Sequence, residues 1–598
     1  MGHRSRHRHK QVHLRDHQVR WSYYLRLLAI LLAGLGSLVG LAEVGLRLAG
    51  LYVPASFLIK TADQRYFVPN QQFLRQFYSG QAAAGKILPF KASVKKPANT
   101  KRILILGESA AQGTPEPAFG FCRILQFMLK KTNPQVDIEL INAALRGVDS
   151  TILAVAARDL MQLEPDVVIL YIGNNEVVGL YGARGRLGLL VTGLRRSICQ
   201  LAIGQFLTRI LPAPGTNRQD MAYFRRQYVA FSDPRRKAVY DRLRKNLQSI
   251  CTLARDAGAK VIVCTVAVNL ADCPPFGSMH KHGLGQAALA DWQAKYEGAT
   301  RMERAGELAK AIELYQAAAR IDDRLAELHY RLARCLARQG QVQEALRHYQ
   351  LACDLDALAF RSDSKVNGVI RDLAKGFADG TVILADIEGR FTEDGQVIPG
   401  GQYFHDHVHL TFDGDYKIAA CLLPLVQQCL ALESNTNTPS LQQCAEGLAY
   451  NPFAQAQIAA GILETTSRPP FLDQVDHAQV QALKARQVKA AMDGLSQQQV
   501  QAAARLYEAA LAADPNDWYI HRLYAYLALA QQDIQTALQH LRAAVTQFPD
   551  HLPTVLMYAS TCVQAGLTQE AMLQYRQALR LAPGNRMAKR ALRSLSRR

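Results

Sequence analysis

Three prolines spaced 34 residues apart, Pro515, Pro549 and Pro583, constrain the chain more than any other feature. Ala503, Ala537 and Ala571 keep the same interval, as do Ala510, Ala544 and Ala578. A fixed period of this length marks stacked helix pairs, in which small residues at set points let the paired helices approach closely. The interval also appears earlier: Gly306, Ala311, Tyr315 and Ala318 recur as Gly340, Ala345, Tyr349 and Ala352. Two all-α arrays are therefore predicted, over residues 296–360 and 496–598, the second closed by a polar helix at residues 585–596.

Elsewhere the pattern is different. Ile103, Leu104, Ile105 and Leu106 form a short apolar run ended by Gly107, and Val167 to Ile172 forms another. Such runs suit strands buried on both faces of a parallel sheet. Further strands are predicted at residues 136–141, 260–266 and 381–385, with helices at 121–131, 148–163 and 237–255 between them. Ser109 falls where the first strand hands over to a helix. That is the sheet edge at which open α/β folds place their sites, although serine is also an ordinary helix N-cap. The last two strands should be neighbours, yet over a hundred residues separate them, and the first repeat array accounts for the excess.

Four blocks in order carry a resemblance: Gly107-Glu108-Ser109, Gly147, Gly173-Asn174-Asn175-Glu176 and Asp406-His407-Val408-His409. Over residues 101–429 the chain resembles the SGNH/GDSL hydrolase family, and the 34-residue units resemble tetratricopeptide repeats. Glu108 and Glu176 stand where the family has aspartate. The resemblance implies a flavodoxin-like three-layer α/β/α domain, with no cofactor and no metal. It also implies an oxyanion hole from the Ser109 and Gly147 N–H groups and the Asn175 side chain. The predicted order is a basic head (1–22), a transmembrane helix (23–47), a connector (48–100), the hydrolase domain (101–295 and 361–432) around the inserted repeats (296–360), a helical linker (433–495) and the C-terminal repeats (496–598).

Net charge is +20 and concentrated. The first 26 residues carry seven Arg/Lys against Asp16, residues 181–250 carry fourteen against three acids, and residues 586–598 carry six against none. No nucleic-acid recognition motif accompanies them, so membrane proximity is the better reading and nucleic acid is not expected as a partner. Residues 27–42 are uncharged and, with their apolar flanks, approach the roughly 20 residues of a spanning helix. The basic head would stay cytoplasmic, leaving the catalytic part on the outer, periplasmic side of the inner membrane. A cleaved signal peptide is the rival reading. Glu43 and Arg47, one turn apart, are placed to pair at the outer boundary. Leu187, Leu190, Val191, Leu194, Ile198, Leu201 and Leu207 keep near-helical spacing around Arg195, Arg196 and Arg209. We expect a lid helix packed on its own core in preference to one lying on a membrane. The eleven cysteines form no C-x-x-C pair, which argues against a zinc site and for scattered buried thiols.

Ester cleavage needs a nucleophile, a base and oxyanion donors. Ser109 is the expected nucleophile, His409 its base, and Asp406 the partner that fixes the His409 tautomer. His405 and His407 are local rivals, and His407 should alternate away from His409 if the piece is extended. The rigid loop 269–276 is expected to wall the pocket. These residues point to a membrane-anchored esterase of acylated carbohydrate or another ester, with the repeats docking a protein partner. An O-acyltransferase using the same serine and a non-catalytic repeat scaffold are the alternatives.

Overall fold

The computed structural model describes residues 3–78, 85–184, 186–210, 221–377, 379–393, 395–433 and 437–597. The side chains of the basic head, of Leu187 and of Arg209 lie outside the described residues, as does Arg598. Helix α1 (His3–Leu48) includes a 23-residue stretch, Arg26–Leu48, with mean hydropathy 2.2 and none of its most apolar part buried. It is long and apolar enough to cross a membrane. Arg47 Nε donates to Glu43 at 2.7 Å, the pairing anticipated at its outer end.

The next segment shows no strong period in sequence, yet it folds into a small antiparallel sheet of β1 (Leu58–Lys60), β2 (Tyr66–Pro69) and β3 (Ala92–Ser93). Its strands are two to four residues long, too short to display alternation. Phe57, Phe73, Phe77 and Phe90 carry it into the main core.

That core surrounds five parallel strands: β4 (Thr100–Gly107), β5 (Asp137–Asn142), β6 (Val167–Tyr171), β7 (Lys260–Cys264) and β8 (Val382–Ala385). Their order is β5-β4-β6-β7-β8, which is 2-1-3-4-5 within the sheet and so the flavodoxin-like arrangement. The predicted strands are all present, with no end shifted by more than three residues. Ile105 stands opposite Asn142 on one side and Ile169 on the other. The apolar runs are continuous because helices cover both faces. The helices of this part are α2 (Ser109–Gln112), α3 (Phe121–Thr132), α4 (Ser150–Leu160), α5 (Arg186–Cys199), α6 (Ala202–Ile210), α7 (Met221–Arg225) and α8 (Pro234–Asp256). Later in the chain come α9 (Gln286–Arg304), α10 (Leu308–Ile321), α11 (Ala326–Arg338), α12 (Val342–Asp354), α13 (Ser364–Lys375), α14 (Ile387–Thr392) and α15 (Phe412–Cys429). Helices α3 and α15 pack together, and α8 packs against both α4 and α13.

Helices α9–α12 form the insert between β7 and β8. Ala311, Ala318, Ala345 and Ala352 are buried where its helices meet, as their spacing predicted. The insert's apolar cluster extends outward to Leu270 and to Val408, which lies between the two histidines of the Asp-x-x-His block. After the sheet come α16 (Leu441–Gly447), α17 (Pro452–Thr466) and α18 (His477–Asp493), followed by the second array: α19 (Gln497–Ala513), α20 (Trp518–Ala530), α21 (Ile534–Gln547), α22 (Leu552–Gln564), α23 (Thr568–Leu581) and α24 (Arg586–Leu595). Its first helix pair is part of the main core through Ala503, Tyr507, Ile520, Leu523 and Leu527. Arg123 pairs with Asp517 and Arg522 with Glu116 across the same contact. The later helices close a separate cluster of their own.

The lid expectation does not hold. Leu190, Val191, Leu194 and Ile198 of α5 are exposed, and Leu201 and Leu207 beside them are exposed too. The inward face of α5 is instead formed by Leu189, Thr192 and Cys199. All eleven cysteines are free thiols, nine of them buried.

Candidate active site

Gly107 ends β4 because nothing larger fits: a Cβ there would fall 2.3 Å from the Ala111 Cβ and 2.6 Å from the Tyr171 carbonyl oxygen. Glu108 then runs extended, and Ser109 becomes the first residue of α2 rather than its cap. The N–H groups of a first helical turn have no intrahelical acceptor, so this edge of the sheet presents free donors beside the Ser109 hydroxyl.

The Asp-x-x-His block folds back on itself. Phe404 and Leu410 form an antiparallel bridge. Inside it Asp406 Oδ1 accepts the N–H groups of Val408 at 3.0 Å and His409 at 2.9 Å. That turn brings His407 and His409 to one carboxylate: His409 Nδ1 is 2.7 Å from Asp406 Oδ2, and His407 Nδ1 is 3.1 Å from Oδ1. The alternation expected of an extended piece is therefore absent. His409 Nε2 meets Ser109 Oγ at 2.9 Å. Ser109, His409 and Asp406 thus form one hydrogen-bonded line. His407 is ringed by Phe276, Phe360 and Phe471.

Electrostatics follow from burial. Burial opposes ionisation of Asp406, but the imidazoles of His409 and His407 outweigh it and hold the carboxyl well below the usual range. Burial lowers His407 against the pull of Asp406. Burial pushes His405 down to about 4. Asp406, His407 and His409 offer three metal-ligand atoms within 4.8 Å of one another. Both His409 nitrogens are engaged, one on Ser109 and one on Asp406.

The other two blocks meet the same edge. Leu145 N–H donates to the Gly107 carbonyl at 3.0 Å, which brings the Gly147 turn alongside. Gly147 has φ +63°, the left-handed region that favours glycine. Glu108 accepts the N–H groups of Asn174 at 2.7 Å and Asn175 at 3.2 Å, tying the Asn175 loop to the residue before Ser109. Glu176 accepts Ser150 N–H and Ser150 Oγ, each at 2.8 Å, and so fixes the start of α4 just after the Gly147 turn. Burial raises Glu108 well above the usual carboxylate range, with the Glu176 charge adding to it. Burial, then Asp149, pushes Glu176 up to about 7. Glu108 and Glu176 hold the loops between which Ser109 lies.

Three residues had no signal in sequence. Asn269 N–H donates to the His407 carbonyl at 3.0 Å and Asn269 Nδ2 to the Asp406 carbonyl at 2.8 Å. Arg361, fully buried, donates to the Asn269 and Cys273 carbonyls at 2.6 and 2.7 Å and so braces that loop from the end of the insert. Lys86 Nζ stands 3.2 Å from where a Gly147 Cβ would be, and burial, then Arg146, pushes it down to about 8. A cavity of about 1070 Å³ opens on the other side of the histidine loop, between the insert and α17–α18. Asn269, Asp272 and Pro274 line it together with His405 and His407, but Ser109 and His409 do not, so the 269–276 loop borders this cavity and not the space at the serine.

Residues 488–551, 528–595 and 326–357 match family models of the tetratricopeptide repeat. The two helical arrays are tetratricopeptide repeats. No curated protein matches the chain in sequence. Among solved structures, the acetyl xylan esterase AlAXEase is 15% identical, with 54% of this chain and 99% of that one covered and a TM-score of 0.26. A GDSL-like lipase from Bacteroides thetaiotaomicron is 12% identical, covering 55% and 88%, with TM-score 0.26. The first tetratricopeptide-repeat unit of Spaghetti (RPAP3), bound to an HSP90 peptide, is 21% identical, covering 21% and 94%, with TM-score 0.16.

Proposed function

We propose that this chain is a serine esterase that cleaves O-acyl groups from carbohydrate, held at a membrane by α1 and docked to a protein partner by its repeats. The observation that carries the reading is the hydrogen-bonded line Ser109–His409–Asp406, with both contacts under 3 Å. With its proton on Nδ1 and bonded to Asp406, His409 offers Nε2 as acceptor to the Ser109 hydroxyl. Ser109 Oγ attacks the ester carbonyl while its proton passes to His409. Asp406, kept ionised, stabilises the imidazolium that results. The Ser109 and Gly147 N–H groups and the Asn175 amide take the developing oxyanion. His409 then protonates the leaving alcohol, and water, deprotonated by His409, releases the acid.

Ser109 is partly exposed and the α5 stripe faces away from a lid role, so water has access to the acyl-enzyme. That favours hydrolysis over transfer to a sugar hydroxyl. The basic head is assigned to the cytoplasm and the catalytic part to the periplasmic side of the inner membrane. A fluorophosphonate probe, which mimics the tetrahedral state, is expected to label the wild type and not Ser109→Ala. Short-chain acyl esters should be hydrolysed at a rate that an added acceptor sugar does not change. Persistent labelling of Ser109→Ala would overturn the nucleophile, and acyl transfer to the sugar would favour the transferase.

A further inference from the structure

We infer that α5 and α6 form a membrane-surface platform, whose apolar face enters the outer leaflet of the bilayer that α1 crosses. This rests on reading Arg26–Leu48 as a spanning helix. The first observation is the unpartnered face: Leu190, Leu194 and Ile198, stacked one helical turn apart, are 70%, 62% and 42% exposed, and Leu201 continues the row at 44%. A soluble protein gains nothing from such a row in water.

The second observation says what covers it. Helix α6 is fastened to the outer end of α1. Glu43 Oε1 and Oε2 accept the Ala202 and Ile203 N–H groups, both at 2.9 Å, at the N-terminus of α6. Gln205 bonds both the N–H and the carbonyl of Val53, just past the end of the span, at 2.9 and 2.8 Å. Glu43 lies five residues before the end of α1, roughly 7 Å along its axis at the helical rise of about 1.5 Å per residue. Interfacial helices sit about 5–10 Å into the headgroup and acyl boundary, so the attachment holds the apolar face at the depth where such helices lie.

Charge agrees with that occupant. From Val177 to Gln219 there is no Asp or Glu, while Arg184, Arg186, Arg195, Arg196, Arg209 and Arg218 all fall within this stretch. Such an excess suits anionic lipid phosphates. The platform also connects to the site: Arg196 lies over the Phe77 ring at 5.6 Å, and the neighbouring Tyr78 hydroxyl donates to the Gly147 carbonyl at 2.8 Å.

The test uses the full chain in nanodiscs of phosphatidylethanolamine and phosphatidylglycerol, with the photo-crosslinker p-benzoylphenylalanine placed in turn at Leu190, Leu194, Leu35 in the span and Glu313 in the insert. Lipid adducts at Leu190 and Leu194 as well as Leu35, with none at Glu313, are expected. Adducts at Leu35 alone would overturn the platform and leave the anchor standing. Adducts at none of the four would remove the anchor and the platform together. Crosslinks from Leu194 to a second copy of the chain would overturn the platform in favour of a protein contact.

Discussion

Asn269 holds Asp406 by its main chain, its side-chain amide donating to the Asp406 carbonyl at 2.8 Å. With the second bond, from Asn269 N–H to the His407 carbonyl, the loop after β7 sets the height of the whole histidine turn. Asn269→Ala leaves the buried Asp406 carbonyl without that donor, at a cost of about 1–3 kcal/mol in stability. A lower thermal midpoint and a roughly tenfold fall in kcat on a short-chain ester are expected, with KM little changed. An unchanged kcat would show that the remaining bonds suffice to place the turn.

The triad should behave as a unit. Ser109→Ala and His409→Ala are each expected to cost nearly as much as the double substitution. Asp406→Asn should cost less than either, and His407→Ala should spare most activity because its ring points into Phe276 and Phe471. Asn175→Ala is expected to lower kcat by about 100- to 1000-fold with KM preserved, since it acts on charge that forms only in the transition state. Kinetics of the five single substitutions and of the Ser109→Ala/His409→Ala double on one ester substrate check these expectations.

Stability should fall between mildly acidic and mildly alkaline pH. Glu176 titrates at about 7 in the folded chain against 4.5 when unperturbed, so the folded state holds its proton more tightly. That contribution is complete below the unperturbed value and is lost as pH rises through about 7. Glu108 is shifted the same way and adds to the loss. Asp406 is shifted the opposite way, so its contribution is present above its unperturbed value of 3.8 and disappears only in stronger acid. Glu176→Gln should flatten the decline in melting temperature between pH 5 and pH 8. A slope equal to that of the wild type would place the titration elsewhere.

Truncations should divide the second repeat array unevenly. A cut before Ser496 removes Tyr507, Ile520, Leu523 and Leu527 from the main core and strands Arg123 and Glu116. Loss of soluble, folded protein is expected. A cut after Ala530 removes only the helices that close their own cluster, and ester hydrolysis by that form should remain within a few-fold of the full chain. Circular dichroism and the ester assay distinguish the two cuts.

The sheet was legible because burial on both faces writes continuous apolar runs, as at Ile103–Leu106 and Val167–Leu170. The arrays were legible because close helix approach demands small residues at a fixed interval, and Ala311, Ala345, Ala537 and Ala571 supply them. The turn at Asp406 was not legible: it depends on a carboxylate accepting two backbone N–H groups, which no periodicity records. The direction of the α5 stripe was hidden for a related reason. Leu190, Leu194 and Ile198 announce an apolar face without naming what it meets. Asn269 and Arg361 act through backbone carbonyls, and a carbonyl has the same appearance at every position of a sequence.

The insertion of a repeat pair between β7 and β8 sets a clock. Ser109 and His409, the proposed nucleophile and base, are 300 positions apart, and the insert is made between them. Ser109, Glu108 and the Asn175 loop are synthesised first, before Asp406 and His409 are in the chain. Val408 packs into the insert's apolar cluster, and Asn269 holds the Asp406 carbonyl. If the proposed triad is the active one, nascent chains interrupted anywhere before His409 should be inert toward esters, and reactivity is withheld until the inserted repeat pair has been made.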